Sequence, residues 1–204
     1  MKIGGLQPFT LSDFPAHSAA VVFTQGCNYR CPFCHNGELW PMERSEAELV
    51  PESAVRELLQ KRAGRLDGVV ITGGEPTMQA DLVEFVSWAR ALGYLVKLDT
   101  NGSRPEVLEE VIERGLIDYF AMDVKAPAAK YHLLAGVPVS MCHIRRSIAL
   151  IAASGVEHEF RTTVVPDLLT DDDVAAIREM VPAGATHTLQ TFRPELAHDP
   201  SLHG

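Results

Sequence analysis

Short apolar runs alternate with longer amphipathic stretches along most of this chain. The two earliest runs, 19–24 and 68–72, are apolar at nearly every position, which is typical of strands buried on both faces. The later runs are of similar length and end at turn or polar residues. Together the pattern predicts six strands, at 19–24, 68–72, 94–99, 118–124, 157–165 and 186–192.

Amphipathic stretches between the predicted strands indicate helices. One stretch begins at Asp81, carries apolar residues at helical spacing and stops at Gly93. In the next stretch, Ser103 and Glu106 have the spacing of a capping box, which predicts the start of a helix. A later stretch follows Thr170, where an acidic triplet suits the positive end of the helix dipole. Strands and helices are therefore expected to alternate.

Repeated strand–helix units predict an α/β fold with a parallel sheet. Eight such units would close a full barrel, so the six units found here indicate a partial (β/α)6 barrel. Because no linker or low-complexity segment interrupts the pattern, we expect a single domain over 1–204. Within it, 1–17 forms an irregular or short-strand lead-in, and 193–204, which contains two prolines, forms an extended tail.

Charge and composition narrow the class of protein. The chain has 18 Lys and Arg against 27 Asp and Glu, and its net charge of −9 argues against nucleic acid as a partner. Its first ten residues lack the apolar run of a signal peptide, and no segment approaches the roughly 18 apolar residues of a membrane span. We therefore expect a cytoplasmic protein without a membrane partner, in which the cysteines stay reduced.

Three of the four cysteines fall within eight residues, with the spacing C-x3-C-x2-C: Cys27, Cys31 and Cys34. Thiolates at this spacing can hold three irons of a cubane iron–sulfur cluster and leave the fourth iron open to a substrate or cofactor. The alternative is structural zinc, with His35 as the adjacent fourth ligand. Because Cys34 and His35 are sequence neighbours, they would struggle to bind one ion together with two other loop ligands, so the sequence favours iron–sulfur. Cys142 stands apart and needs no function.

Glycines and polar residues follow the ends of the predicted strands. They are Gly73, Gly74 and Glu75, then Asp99, Thr100 and Asn101, then Asp123 and Lys125, with Arg161 and Gln190 inside the last two strands. Since the carboxyl ends of parallel strands form one edge of a sheet, these residues should meet the cysteine loop there. Each group also has a structural explanation: a tight turn at the glycines, and an ion pair that fills the barrel at Asp123 and Lys125. Buried charges are costly without partners, however, which favours a polar ligand.

The cysteine motif with Phe33 before its last cysteine, followed by Gly73-Gly74-Glu75-Pro76, resembles the radical S-adenosylmethionine enzymes. This resemblance implies a partial barrel that binds a [4Fe–4S] cluster through Cys27, Cys31 and Cys34. It also implies that S-adenosylmethionine chelates the open iron, with Phe33 near the adenine and Gly73 to Glu75 near the methionyl ammonium.

The finer resemblance is to the activases of glycyl radical enzymes. It rests on Asp13-Phe14-Pro15, Gln25-Gly26-Cys27-Asn28, Cys34-His35-Asn36, Asp99-Thr100-Asn101-Gly102 and Asp123-Val124-Lys125. The segment Gln190 to Pro194 looks most like the branch that activates anaerobic ribonucleoside-triphosphate reductase. By this resemblance Asp123, Lys125 and Arg161 contact the cofactor, and Asp99 near Asp123 helps to hold a monovalent cation.

Two positions depart from that pattern. Ala16 stands where the branch usually has glycine, and Gln190 lies where formate-lyase activases carry a histidine. The resemblance implies that an electron from flavodoxin or ferredoxin drives cleavage of S-adenosylmethionine to a 5′-deoxyadenosyl radical. That radical would abstract a hydrogen atom from a glycine of the partner enzyme.

Two other functions remain open at this point. One is a radical S-adenosylmethionine enzyme that acts on a small molecule, such as 7-carboxy-7-deazaguanine synthase; Cys34-His35-Asn36 favours the activase over it. The other is a non-catalytic iron–sulfur electron carrier, which would not need the glycines, Glu75 or the charges at the strand ends.

Overall fold

The computed structural model describes residues 1–203, and its framework is one seven-stranded sheet with the strands in chain order. The strands are β1 Ile3–Thr10, β2 Ala19–Thr24, β3 Gly68–Gly73, β4 Leu95–Thr100, β5 Tyr119–Asp123, β6 Glu157–Val164 and β7 Thr186–Thr191. From β2 to β7 all neighbours pair in parallel. Within the described residues the edge strands β1 and β7 do not pair with each other, so the sheet stays open. The predicted α/β partial barrel is confirmed.

Helices connect the parallel strands. They are α1 Glu52–Arg62, α2 Leu82–Ala91, α3 Pro105–Glu113, α4 Tyr131–Ala135, α5 Met141–Ala153 and α6 Asp171–Met180. In residues 1–203, no helix is long and apolar enough to cross a membrane.

Alternation along the strands separates two apolar regions. Ala20, Val22, Val69 and Ile71 belong to the main core, together with buried residues of the helices. The intervening residues point to the opposite face, which we call the inner face. There Phe14, Ala19, Val21 and Val70 form a second, smaller group, the apolar inner cluster. It lies where β2 and β3 begin, so the inner face is packed with apolar side chains at the amino-terminal ends of these strands.

The lead-in contains a full strand. β1 runs antiparallel to β2, from Ile3 opposite Thr24 to Thr10 opposite Ala19, with irregular register at two places. The sheet therefore has seven strands where the sequence pattern gave six. Sequence reasoning discounted this segment because of Gly4, Gly5 and Pro8, but an edge strand tolerates such residues.

Two local predictions were wrong. Ser103 and Glu106 do not form a capping box: the helix begins after Arg104, without a side-chain cap. The Ser103 hydroxyl instead accepts a hydrogen bond from Asn28, and Glu106 pairs with Arg104. The tail is not simply extended either, because it forms short 3-10 helices at Pro194–Leu196 and Pro200–Leu202. At Thr170, by contrast, a reciprocal capping box with Asp173 begins α6, at the position predicted.

Candidate functional site

A cavity opens on the inner face at the carboxyl ends of the strands. All but one of the site residues expected from the sequence line it, namely Cys31, Phe33, Cys34, Gly73, Gly74, Glu75, Asp99, Thr100, Asn101, Asp123, Lys125 and Arg161. The exception is Cys27, which is buried in the main core. Gln190 of β7 also lines the cavity. The parallel topology thus brings residues from six strand ends to one place, as the sequence predicted.

The cysteine loop directly follows β2, and backbone bonds fix its start. The amides of Gly26 and Cys27 donate to the carbonyls of Leu39 and Trp40, at 2.8 and 3.1 Å. Within the loop, the Tyr29 amide lies 3.4 Å from the Sγ of Cys27, and the Asn36 amide lies 3.4 Å from the Sγ of Cys34. Amide donors to sulfur favour the thiolate form that a metal ligand needs.

The three thiols are free, and burial alone works against their ionisation. Burial, with the charge of Glu75 adding to it, raises the pKa of Cys27 to about 12. Burial also raises the pKa of Cys31, although Lys125 opposes the shift. Thiolates here therefore depend on the positive charge of a bound metal, as expected for ligands and not for reactive nucleophiles.

The donor set fits a cluster better than a single ion. Among residues 1–203, no three His, Cys, Asp or Glu side chains converge as the ligands of one ion do. Ligands that each bind a different iron of a cubane need no such convergence. His35, the fourth ligand in the zinc alternative, lies with its ring 6.3 Å from that of Phe192, in a stacked arrangement. Cys27, Cys31 and Cys34 thus suit an iron–sulfur cluster held by three ligands.

The Gly73-Gly74 turn packs tightly against the start of the cysteine loop. Gly73 has φ +106°, and a Cβ there would lie 2.4 Å from the Thr24 amide nitrogen. A Cβ on Gly74 would lie 2.2 Å from the carbonyl oxygen of Gly26. The Gly74 amide donates to Thr24 and the Glu75 amide donates to Gly26, each at 2.9 Å. Glycine is required because two backbone segments meet here, in addition to any ligand.

Glu75 is buried and joins the ends of β3 and β4. Its Oε1 accepts from the Thr77 amide at 3.1 Å and from the hydroxyls of Thr77 and Thr100 at 2.6 and 2.7 Å. Its Oε2 accepts from the Asn101 amide at 2.6 Å. Burial raises the pKa of Glu75 even though these bonds oppose the shift. A carboxylate so placed retains acceptor capacity on Oε2, and a nearby cation would stabilise its charge.

Asn28 and Asn101 connect the cysteine loop to the end of β4. The Asn101 side-chain amide donates to Asn28 Oδ1 at 2.9 Å, and Asn28 in turn donates to the Ser103 hydroxyl at 2.8 Å. The Ser103 amide closes the ring by donating to Asn101 Oδ1 at 2.9 Å. The sequence indicated Asn101 as a site residue but gave no sign of these hydrogen bonds, because Asn28 lies more than 70 residues before both Asn101 and Ser103.

Five charged side chains of alternating sign cross the inner face, and we call them the charged row: Lys97, Asp99, Arg161, Asp123 and Lys125. Lys97 Nζ lies 3.1 Å from Asp99 Oδ1, and the Arg161 guanidinium reaches Asp99 at 3.3 Å and Asp123 at 3.0 Å. Lys125 Nζ is 3.3 Å from the other oxygen of Asp123. Because the signs alternate, each charge has a partner, which is the condition for burying ions.

Within the charged row, Asp123 and Lys125 each favour the charged form of the other. Burial acts against the charge of Asp123, but Arg161 and Lys125 outweigh it and lower the pKa of that carboxyl. Burial likewise disfavours the charge of Lys125, yet the acidic groups beside it, the Cys31 thiol first and then Asp123, raise its pKa well above the usual value. Lys125 also lies 5.7 Å from the centroid of the Phe33 ring. Its cationic end is therefore held at the cysteine loop.

The tail packs against the cysteine loop, which sequence reasoning missed. The amides of His198 and Asp199 donate to the carbonyls of Cys34 and Pro32, both at 2.9 Å. The His198 ring lies 4.1 Å from the ring of Trp40. Two histidines in the proline-containing tail, His198 and His203, were the available signal, but nothing in the sequence identified their partners.

Two more residues of the site were missed. Lys97 stands between apolar residues within β4, two positions before Asp99, which is itself a signal for a buried charge with a partner. Tyr29 lines the cavity and lies within the cysteine motif, where only the cysteines attracted attention. Burial strongly raises the pKa of Tyr29, which keeps its hydroxyl protonated.

Comparisons with known proteins agree with this geometry. The family model of the radical SAM superfamily matches residues 21–181. A protein of Methanocaldococcus jannaschii, described as a candidate glycyl-radical enzyme activating enzyme, is 35% identical over 202 residues, 97% of this chain and 82% of its own length. The pyruvate formate-lyase-activating enzyme of Listeria monocytogenes is 32% identical over 123 residues, 55% of this chain and 49% of its own length, so that match spans about half of each protein.

A solved structure also shares the fold. QueE from Escherichia coli superposes with a TM-score of 0.54 at 15% identity, and the match covers 93% of each chain. At that identity the likeness concerns the fold alone. The shared fold extends over nearly the entire length of both proteins.

Proposed function

The chain belongs to the radical SAM superfamily, and from that membership we propose that it activates a partner glycyl radical enzyme. The observation that carries the proposal is the likeness, over 97% of this chain, to the M. jannaschii protein described as an activating enzyme of that kind. The partial match to the Listeria pyruvate formate-lyase-activating enzyme supports the same class. The family implies a [4Fe–4S] cluster and S-adenosylmethionine as cofactors.

In the proposal Cys27, Cys31 and Cys34 hold the cluster. When bound, the cluster would supply one electron for the reductive cleavage of S-adenosylmethionine to methionine and a 5′-deoxyadenosyl group able to take a hydrogen atom from a glycine. Glu75 uses its free Oε2 capacity to accept a hydrogen bond from the methionyl ammonium.

The charged row orients the rest of S-adenosylmethionine. Lys125 and Arg161 donate to its oxygens, while Asp123 fixes both of these cations through the ion pairs described above. A monovalent cation beside Asp99 and Asp123 is a further part of the proposal, and it would share these carboxylates with Arg161. The protein's task is to bind, orient and exclude water.

The partner's glycine must reach this cavity as part of a protein chain. The sheet is open beyond β7, and Gln190 of β7 lies at the border of the cavity. We propose anaerobic ribonucleoside-triphosphate reductase as the partner, because Gln190 to Pro194 looks most like the branch that activates it. Flavodoxin or ferredoxin is the proposed electron donor. The location in the cytoplasm stays a prediction.

The test is anaerobic. The protein is reconstituted with iron and sulfide, reduced, and assayed for 5′-deoxyadenosine with S-adenosylmethionine. Cys31→Ala should make none, whereas Cys142→Ala, which removes an exposed cysteine far along the chain, should match the parent protein. If the cluster can be reduced but no 5′-deoxyadenosine forms, even with the reductase present, the proposal is contradicted. The alternative of a non-catalytic electron carrier would then remain.

The partner is tested in the same mixture. With anaerobic ribonucleoside-triphosphate reductase added, a glycyl radical signal should develop in the electron paramagnetic resonance spectrum. Replacing the acceptor glycine of the reductase by alanine should remove that signal. Nucleoside formation without any radical on the reductase, and with turnover of a free heterocycle, would instead identify a small-molecule enzyme.

A further inference from the structure

Tyr29 has a buried hydroxyl without a partner. The residue is 3% exposed, and within residues 1–203 its hydroxyl oxygen makes no hydrogen bond and has almost no accessible surface. Burying a hydroxyl without a hydrogen bond destabilises the folded protein, because the hydroxyl loses its hydrogen bonds to water and gains none in return. If only the ring were needed for packing, phenylalanine would fill the space without that cost. The hydroxyl therefore points to a group that the protein chain itself does not supply.

The place of Tyr29 in the cysteine loop suggests which group to consider. It lies between the first two cysteines of the loop, its own amide donates to Cys27 Sγ at 3.4 Å, and it lines the cavity together with Cys31 and Cys34. The Tyr29 hydroxyl therefore belongs to a residue whose backbone amide already contacts Cys27, one of the proposed cluster ligands.

None of the polar side chains that line the cavity in residues 1–203 forms a hydrogen bond with the Tyr29 hydroxyl. The Glu75 carboxylate accepts four hydrogen bonds, and Lys125 pairs with Asp123. Tyr131, the other buried tyrosine near the loop, directs its hydroxyl to the Asp123 carbonyl at 3.5 Å. A protonated phenol in this place is a free donor.

We infer that the Tyr29 hydroxyl donates a hydrogen bond to a sulfur of the cluster that Cys27, Cys31 and Cys34 hold. The inference rests on the cluster implied by the family and not on the identity of the protein partner. A donor to sulfur offsets the negative charge gained on reduction, so it makes the cluster easier to reduce. Tyr29 would thereby set the reduction potential of the cluster.

The test compares Tyr29→Phe with Tyr94→Phe in the anaerobically reconstituted protein. Tyr94 is a matched control, because its buried hydroxyl donates to the Leu59 carbonyl at 2.7 Å, away from the cavity. The midpoint potential of the cluster should become more negative in Tyr29→Phe and stay unchanged in Tyr94→Phe. Electron-nuclear double resonance of the reduced cluster, in water and in deuterium oxide, should show one exchangeable proton coupling fewer in Tyr29→Phe alone.

Two results would overturn the inference. One is an unchanged potential together with unchanged exchangeable proton couplings in a fully loaded Tyr29→Phe protein. The other is a weaker affinity for S-adenosylmethionine with the potential unchanged, because the hydroxyl would then serve that molecule. If Tyr29→Phe does not retain a cluster, 3-fluorotyrosine at position 29 decides: its more acidic phenol should shift the potential in the positive direction, and no shift rejects the hydrogen bond.

Discussion

The two ends of the inner face are built from the same strands but have opposite chemistry. At the amino-terminal ends lies the apolar inner cluster, and at the carboxyl ends lies the charged row. Strand β4 shows the change within one element: Leu95 packs on the apolar inner cluster, Lys97 follows, and Asp99 lines the cavity. Successive inward positions therefore pass from apolar packing to the lining of the cavity. One end stabilises the fold, and the other is the end to which the proposal assigns the chemistry.

Lys97 joins the two ends. Its ammonium is buried, donates to the Asp13 carbonyl at 2.6 Å and pairs with Asp99 at 3.1 Å. Asp13 directly precedes Phe14 of the apolar inner cluster. The loop that closes one end of the inner face is thus tied to the first carboxylate of the other end.

Of the variants considered, removing the guanidinium of Arg161, the central side chain of the charged row, should reduce the free energy of unfolding most. Arg161→Ala leaves the Asp99 and Asp123 carboxylates without the guanidinium that bridges them. Removing one partner of a buried ion pair costs about 3–5 kcal/mol. The free energy of unfolding of the metal-free protein, measured in urea, should therefore fall by about that amount. In the reconstituted protein, 5′-deoxyadenosine formation should be lost as well.

Arg114→Ala is the control for Arg161→Ala. Arg114 pairs with Glu110 at 3.1 Å, but about half of each side chain is exposed, so its loss should cost about 0.5 kcal/mol or less. Equal losses in the two variants would mean that the charged row is no more important than a surface ion pair. The proposed division between the two ends would then fail.

Removing the apolar contact at the opposite end should cost somewhat less and leave the chemistry intact. Phe14 is 2% exposed, and Phe14→Ala should reduce the free energy of unfolding by about 3 kcal/mol through the cavity it leaves. Phe9→Ala, at a residue 51% exposed on β1, should cost less than about 1 kcal/mol. At a temperature where Phe14→Ala is fully folded, its cluster content and nucleoside formation should match the parent. Loss of the cluster would show that the two ends are not independent.

The sequence predicted the parallel strands and their chemistry because both depend on local signals. Runs such as 68–72 combine apolar residues with a following glycine turn, and parallel topology then places every strand end at one edge. These local signals are enough to predict that Asp99, Asp123 and Arg161 share one edge of the sheet, where Arg161 pairs with both carboxylates.

What the sequence could not predict depends on contacts between distant segments. Ser103 and Glu106 match a capping box, but Ser103 bonds to Asn28, 75 residues away. The strand β1 needs β2 as its partner, and Phe14 gives no sign that it packs under Gly68 and Tyr119. Local patterns do not encode such pairings.

The tail is held against the cysteine loop by the hydrogen bonds of His198 and Asp199 to Cys34 and Pro32, and we call this contact the tail brace. Weakening the tail brace should have a smaller effect on stability than the two changes above. A Cβ on Gly37 would lie 2.0 Å from Nδ1 of His198, so Gly37→Ala should displace that ring and weaken the tail. Overpacking of this kind costs about 1–3 kcal/mol, and we expect about 2 kcal/mol in urea unfolding, with faster proteolysis after residue 193. In Gly5→Ala the new Cβ would meet Phe23 at an ordinary 3.5 Å, so that variant should be close to neutral. If proteolysis after residue 193 were equally slow in Gly37→Ala and in the parent, the tail brace would not hold the tail in place.

The smallest effect is expected at the turn that positions Phe14. The His17 amide donates to the Phe14 carbonyl at 3.1 Å, Pro15 occupies the second position, and Ala16 has φ +62° at the third. This is the arrangement of a type II turn, which favours glycine at the third position, and it explains the glycine expected there from the family resemblance. Relief of about 1 kcal/mol of backbone strain in Ala16→Gly is partly offset by the added freedom of glycine in the unfolded chain. The free energy of unfolding, measured by heat or urea, should therefore rise by about 0.5 kcal/mol in Ala16→Gly.

The control is Ala149→Gly, at an exposed position inside α5, where the free energy of unfolding should instead fall by about 1 kcal/mol. If both glycines destabilise the protein equally, Ala16 is not strained, and the turn contributes nothing special to the apolar end of the inner face.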